Sequence, residues 1–187
     1  MKKALLLVSI LFVSVVSTAC INNFAVQELN TKAKSYLDEG NYEEAIERLK
    51  SSIDLDDTIF ETHYNLAVAY TQAEDYANAI EAYKQAILLN PDFADAYYSL
   101  AVTQSNLASD LKNGNVRLDE NGKYFIPELD DLEDEKNYIP SKEILENIKS
   151  VYSDAKSNYE LYLEKSPGAE DKDDIQEEIN KISKLLK

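Results

Sequence analysis

Cysteine, histidine and glycine are all scarce in this chain: one Cys, one His and four Gly among 187 residues. One cysteine cannot close a disulfide within the chain, and no Cys/His spacing of a zinc site is present. The glycines are widely separated, so no glycine-rich loop is available to cradle a phosphate. The many carboxylates form no pair that the sequence assigns to acid–base work, and a solvated acidic surface accounts for them. No catalytic residue, cofactor or metal site is therefore expected. Positive charge is short as well. Nineteen Lys and Arg against 35 Asp and Glu leave a net charge of −16, which argues against nucleic acid and against charge-driven docking on anionic lipid.

Long apolar runs are equally rare, and the clearest one opens the chain. Lys2 and Lys3 precede an apolar stretch, 4–16, interrupted only by Ser9 and Ser14. It is too short to span a bilayer comfortably and reads as a secretory signal over residues 1–19. Small residues (Ser17, Thr18, Ala19) lead to Cys20, the single cysteine. This junction resembles the lipobox of bacterial lipoproteins. The resemblance implies that Cys20 is acylated and becomes the mature N-terminus, with 20–25 a short linker. The alternative is a plain signal peptide with an incidental cysteine, though an unpaired exposed thiol is unusual in a secreted protein. The remaining chain is acidic, so membrane attachment is expected to depend on acyl chains, of which two or three give a stable anchor. Ile21 follows the cysteine in place of an inner-membrane-retaining aspartate. That favours the outer membrane or the surface of a bacterial cell envelope.

What is abundant is repetition. Tyr36, Tyr42, Ala45, Ile46, Glu47 and Ile53 recur 34 positions later as Tyr70, Tyr76, Ala79, Ile80, Glu81 and Ile87, and Tyr64, Leu66, Ala67 and Val68 return as Tyr98, Leu100, Ala101 and Val102. A period of this length signals stacked helix pairs. The i, i+3, i+4 spacing of Leu66, Ala67 and Tyr70 sets them on one helical face. Small residues at Ala67, Ala79 and Ala86 allow close helix approach, large ones at Leu66, Tyr70, Tyr76 and Tyr83 fill the seam, and Pro91 stops the second helix. Residues 60–93 thereby resemble the tetratricopeptide repeat (TPR) family, at eight positions in one register.

The resemblance implies an all-α solenoid over 26–187, with repeats at 26–59, 60–93 and 94–169 and a capping helix at 170–186. In the first repeat, Lys32 replaces the usual Leu, and Gly40 supplies the tight turn. In the third, the second helix is recognisable only from Tyr152, Ala155, Tyr159, Leu163 and Pro167. That proline is expected near position 125, so the repeat carries an insertion, placed at 113–140, which partly extends its two helices. His63 occupies a family packing position and reads as a half-buried packing residue. The last helix carries Ile175, Ile179, Ile182 and Leu186 on one face, with acids at its start and lysines at its end, matching the helix dipole.

Within the insertion, 116–118 and 123–126 read as a small β-hairpin around Asn121-Gly122. The acidic run 128–135 reads as a solvated loop, since neither it nor 119–122 has the ligand spacing of a calcium loop. Tyr124, Phe125 and Ile126 are too apolar for an open loop. They either fold back on the repeat core or extend the binding surface.

By resemblance, the first helices of successive repeats line a concave groove. Carried over, the groove positions include Asn30 and Lys34 in repeat one, Tyr64, Val68 and Thr71 in repeat two, and Tyr98, Val102 and Ser105 in repeat three. Ordinary solenoid packing is the competing reading of the Tyr64–Tyr98 and Val68–Val102 pairs. Lys34 and Asn65 sit near two positions of the family's carboxylate clamp, but Asp95 and Ser99 stand where its basic residues belong, so that clamp is absent. Acidic rims at Glu61 and Asp95 favour a neutral or basic partner. Two functions stay open: a membrane-anchored, non-catalytic adaptor binding another envelope or secreted protein in the groove, or an assembly subunit of an envelope complex using its flank or the insertion.

Overall fold

A computed structural model describes residues 23–127 and 138–187. Residues 1–19, expected to form a signal, Cys20 and the acidic run 128–135 lie outside the described residues. Helix α1 covers 23–38, followed by α2 (Tyr42–Leu55), α3 (Phe60–Gln72), α4 (Tyr76–Leu89) and α5 (Ala94–Asn113). A two-stranded hairpin, β1 (Arg117–Leu118) and β2 (Tyr124–Phe125), precedes α6 (Lys142–Lys165) and α7 (Lys172–Leu185). Each helix from α2 onward packs on the next one along the chain. The result is the expected helical solenoid, three helix pairs closed by a final helix. Among the described residues no helix is long and apolar enough to cross a membrane.

Alanine sets the spacing. Ala33, Ala45, Ala67, Ala79, Ala86 and Ala101 have no exposed surface, so these methyl groups lie inside the helix contacts. Leu49, Leu66, Tyr70 and Tyr83 fill the space on either side and join one buried cluster running through the first two repeats. Fully burying each such side chain is worth about 1.5–3 kcal/mol. A second cluster joins Tyr97 and Ala101 of α5 to Ala155, Tyr159 and Tyr162 of α6 and Ile175, Ile179 and Ile182 of α7. The closing helix thus buries the apolar face that its isoleucine spacing defines.

The turns inside repeats one and two share one geometry. Asn41 N donates to Tyr36 O at 2.8 Å and Gly40 N to Leu37 O at 3.1 Å. Thirty-four positions on, Asp75 N donates to Tyr70 O at 2.9 Å and Glu74 N to Thr71 O at 3.1 Å. This is the Schellman pattern, which needs a left-handed residue at the position of Gly40 and Glu74. Their φ values are +77° and +58°.

The third repeat differs because its helices are longer, 20 residues in α5 and 24 in α6. The extra turns build a third cluster from Leu107, Ala108, Leu111, Ile148 and Val151, joined by Tyr76 and by Val116 from the insertion. The hairpin pairs Arg117 with Phe125 and Leu118 with Tyr124. Its five-residue loop is held by the Asp119 carboxylate, which accepts from the backbone N–H groups of Asn121 and Lys123, both at 2.8 Å. Those two bonds, Lys123 first, hold the Asp119 carboxyl below the usual carboxylate range. Strand alternation puts Tyr124 and Phe125 on opposite faces, and Ile126 lies just beyond β2. Leu118 and Tyr124 pack on the third cluster, whereas Phe125 and Ile126 stay 42% and 53% exposed.

The insertion leaves and rejoins the repeat at one tight contact. Gly114 ends α5 at φ +83°, and a Cβ built there would lie 2.8 Å from the Tyr138 ring. Gly122, at φ +75°, has open space around it. Gly114→Ala is therefore expected to cost about 2–4 kcal/mol, left-handed strain plus overpacking, against about 1–2 kcal/mol for Gly122→Ala, strain alone. Urea denaturation of the two variants measures the difference. Equal losses would mean that Tyr138 does not seat on Gly114.

Candidate functional site

Three first helices, α1, α3 and α5, carry the positions expected to line the groove. The structure divides those residues into two groups. Lys34 of α1 and Tyr64 and Val68 of α3 line a cleft of about 520 Å³. Leu37, Asn65 and Gln72 share it. So do Asp38 and Tyr42, which sequence reading gave no binding role. Tyr42 was legible only as a repeat aromatic, and Asp38 carries no periodic signal at all.

Four of the other five predicted positions are engaged within the solenoid. Asn30 donates to Val26 O at 3.0 Å and to Ser52 Oγ at 2.8 Å, tying α1 to α2. Thr71 donates to Ala67 O at 2.9 Å, and its hydroxyl lies 3.1 Å from that of Thr103 on α5. Tyr98 packs on Tyr159 and Tyr162 of α6, with ring centroids 6.1 and 5.3 Å apart. Val102 packs into the same cluster, and Ser105 lies half-buried on the same helix. Tyr64 belongs to both groups. It lines the cleft, yet its ring meets Phe93 at 5.0 Å and Tyr83 at 5.8 Å, and its hydroxyl lies 3.1 Å from Ser99 Oγ. The open part of the groove is thus the α1–α3 cleft, while Thr71 is engaged with Thr103 of α5, and Tyr98 and Val102 pack on α6.

The cleft is chemically mixed. Leu37, Tyr64 and Val68 offer apolar surface. Asn65 and Gln72 carry amides that both donate and accept, as an extended peptide backbone requires. Lys34 and Asp38 are exposed and of opposite sign, so the cleft is locally balanced within an acidic chain. Glu61 and Asp95 are exposed near the starts of α3 and α5. His63 is not in the cleft; its Nε2 lies 2.9 Å from Asp57 O. Among the described residues no group of three or more His, Cys, Asp or Glu side chains could hold a metal ion.

A second depression of about 400 Å³ lies where the hairpin faces the α3–α4 turn, lined by Glu74, Asp75, Lys123, Tyr124, Phe125 and Ile126, among others. Sequence reading singled out the three apolar residues but not Glu74 or Asp75, which belong to an ordinary repeat turn.

With the geometry in place, comparison with known proteins identifies the class. Tetratricopeptide repeat models match residues 60–93 and 82–125, and a TPR repeat model matches 33–73. Residues 33–125 of the chain therefore carry tetratricopeptide repeats. The first TPR of Spaghetti (RPAP3), solved with the HSP90 peptide SRMEEVD, is 21% identical at a TM-score of 0.58, over 86% of this chain and 92% of that one. The second TPR domain of human RPAP3, in complex with the HSP70 peptide SGPTIEEVD, is 19% identical with a TM-score of 0.58, over 87% of this chain and 98% of that one. The TPR domain of Arabidopsis OM64 is 12% identical with a TM-score of 0.59, over 86% and 98%. At these identities the likeness is one of fold. A search of curated protein sequences found no match.

Phenols hold the seams around the cleft, and their protonation is linked to stability. Burial, the larger cause, raises the Tyr162 phenol, and the neighbouring Asp171 carboxylate pushes it further, to about 12. Its hydroxyl donates to Asp171 Oδ1 at 2.8 Å. Burial also raises Tyr83 and Tyr159, and burial, then Asp110, raises Tyr76, whose hydroxyl donates to Asp110 Oδ2 at 2.6 Å. A folded value raised above the unfolded one, about 10, gives stability that is complete below the unfolded value. It is lost as pH climbs through the folded value. Urea unfolding should therefore show clear destabilisation between about pH 10 and about pH 12, alongside delayed phenolate absorbance. Unchanged stability over that window would mean that the phenols are not shielded.

Proposed function

We propose that this protein is a non-catalytic interaction adaptor whose groove, at the α1–α3 cleft, holds an extended segment of a partner protein. The observation that carries this reading is the combination of an apolar strip (Leu37, Tyr64, Val68) with backbone-reading amides (Asn65, Gln72) in one open cleft. Structural neighbours of the same fold were solved holding peptides, which supports a peptide as the occupant. The balance of Lys34 against Asp38 and the acidic rim at Glu61 favour a neutral or basic segment over an acidic one. Tyr98, Val102, Thr71, Ser105 and Asn30 then act by shaping the groove, and Lys34, Tyr64 and Val68 by touching the partner.

The cleft also marks the best test. Tyr64→Ala would loosen the Tyr83 and Phe93 packing, so exposed cleft residues are the cleaner probes. Cross-linking in intact cells, with captured proteins identified by mass spectrometry, should give one dominant partner. The double variant Lys34→Glu, Gln72→Glu should lose it at least tenfold while melting as the wild type does. Full capture by that variant would overturn the groove reading. Loss of capture on deleting 116–126 instead would favour the alternative, an assembly subunit of an envelope complex that uses the insertion.

The reading includes a location. Residues 1–19 act as a lipoprotein signal, Cys20 carries the acyl chains, and the partner is another envelope or secreted protein. Placement at the outer membrane or cell surface follows from Ile21 after the cysteine. The support is the lone cysteine at a small-residue junction after an apolar stretch, together with the acidic charge that makes a lipid anchor necessary for membrane residence. Cys20→Ser should move the protein from the membrane fraction to the soluble fraction and abolish incorporation of a clickable fatty acid. Retention of both in the variant would overturn lipidation at this position.

A further inference from the structure

Glu74 occupies a position that the fold does not favour for it. Repeat one completes the same Schellman turn with Gly40, whereas repeat two places Glu74 there at φ +58°, the single non-glycine residue with positive φ among the described residues. A residue with a Cβ is strained in that conformation and glycine is not. Strain held at one surface residue points to a use for its side chain. The Glu74 side chain is exposed and has no hydrogen-bond or ion-pair partner among the described residues.

The surroundings supply independent observations. Glu74 lines the depression of about 400 Å³ whose far wall is the hairpin. On that wall Phe125 and Ile126 are 42% and 53% exposed, while their neighbour Val116 is buried to 2%. Asp75, also in the wall, already accepts from Asn78 N and Nδ2 as the α4 cap. Among the described residues Lys123 is the one cation lining the depression. Two carboxylates against one ammonium leave the walls acidic.

We propose that this depression is a second docking site, separate from the groove, for an exposed protein segment carrying an arginine or lysine beside large apolar side chains. The cation pairs with Glu74, and the apolar side chains cover Phe125 and Ile126. Charge complementarity selects this occupant. An acidic segment, or an anionic membrane surface, meets the same carboxylates on a chain of net charge −16 and is repelled. The adaptor then holds two partners, one in each site.

The test uses an amidated octapeptide with a central arginine flanked by leucines, and its glutamate-for-arginine counterpart. Titrated into the isotope-labelled full chain, the arginine peptide should shift the backbone amides of 74–78 and 123–126, and the glutamate peptide should bind at least tenfold more weakly. Glu74→Gly should melt no lower than wild type, because the turn geometry prefers glycine, yet lose at least fivefold in affinity. Glu74→Lys should lose more. The Lys34→Glu, Gln72→Glu variant should bind the arginine peptide as wild type does, which separates failure of this site from failure of the groove. Equal binding of both peptides, undiminished affinity in Glu74→Gly, or shifts confined to 34–38 and 64–72 would each overturn the proposal. So would capture by vesicles rich in phosphatidylserine without peptide binding.

Discussion

Two helices can lie this close only where neither carries a side chain larger than a methyl group, and that condition governs the whole molecule. Ala45, Ala67, Ala79 and Ala86 are each wholly buried, and every tyrosine and leucine that fills a seam is positioned by the contact these alanines permit. Interiors are packed densely enough that a change of one methylene is felt at a distance. The separation of α1 from α3, and so the width of the cleft, is thus fixed by residues that never touch a ligand. A solenoid of this kind depends on contacts between nearest neighbours, and the groove inherits its rigidity from them.

The third repeat shows how the same constraint accommodates an insertion. Lengthening α5 and α6 together keeps them in register and creates new apolar surface at their far ends. That surface is closed by Leu107, Leu111, Ile148 and Val151, with Val116 buried from the hairpin side. Asp110 ties the region together: it accepts from Tyr76 Oη at 2.6 Å and from Asn115 Nδ2 at 3.1 Å, and its carbonyl accepts from Val116 N at 3.3 Å. The start of α4, the end of α5 and the base of the hairpin are thereby joined. A charged acceptor with several donors is worth more than a neutral pair, so the hairpin is held in place rather than merely tethered. Its outward side chains are consequently presented against the α3–α4 turn.

Legibility in the sequence followed period and residue size. The 34-residue recurrence of tyrosine and alanine specified the helix pairs, because helical spacing decides which face a residue occupies. The isoleucines of α7 announced a closing helix for the same reason. What recurrence does not specify is the neighbour that fills a face. Tyr64 and Tyr98 are equivalent by register and each meets the equivalent tyrosine of the following helix, Tyr83 and Tyr159, yet the second ring each meets differs, Phe93 for Tyr64 and Tyr162 for Tyr98. Repeat three has Ala169 at the place of Phe93 and Tyr162 at the place of Ala86, so the second large side chain comes from the helix itself and not from the turn after it. Four of the eight anticipated groove positions, Asn30, Thr71, Tyr98 and Val102, are engaged inside the solenoid. Glu74 was illegible for another reason: a left-handed residue is recognised in sequence when it is glycine, and repeat two has none at that turn.

Electrostatics separates the two surfaces further. The α1–α3 cleft holds Lys34 and Asp38 in near balance, so selectivity there comes mainly from apolar fit and backbone hydrogen bonds, with the acidic rim at Glu61 acting only against acidic segments. The hairpin depression sets Glu74 and Asp75 against Lys123, and it sits on a chain whose net charge already attracts cationic segments from a distance. Attraction of that kind acts mainly on the rate of encounter and is screened beyond roughly 8–10 Å at physiological ionic strength. A partner reaching the hairpin would be drawn in by charge and retained by Phe125 and Ile126, whereas one in the cleft would be selected by shape. Two sites that discriminate by different physics on one rigid scaffold can be filled without competing for the same segment. That independence is what a bridging adaptor requires and a single-groove binder does not.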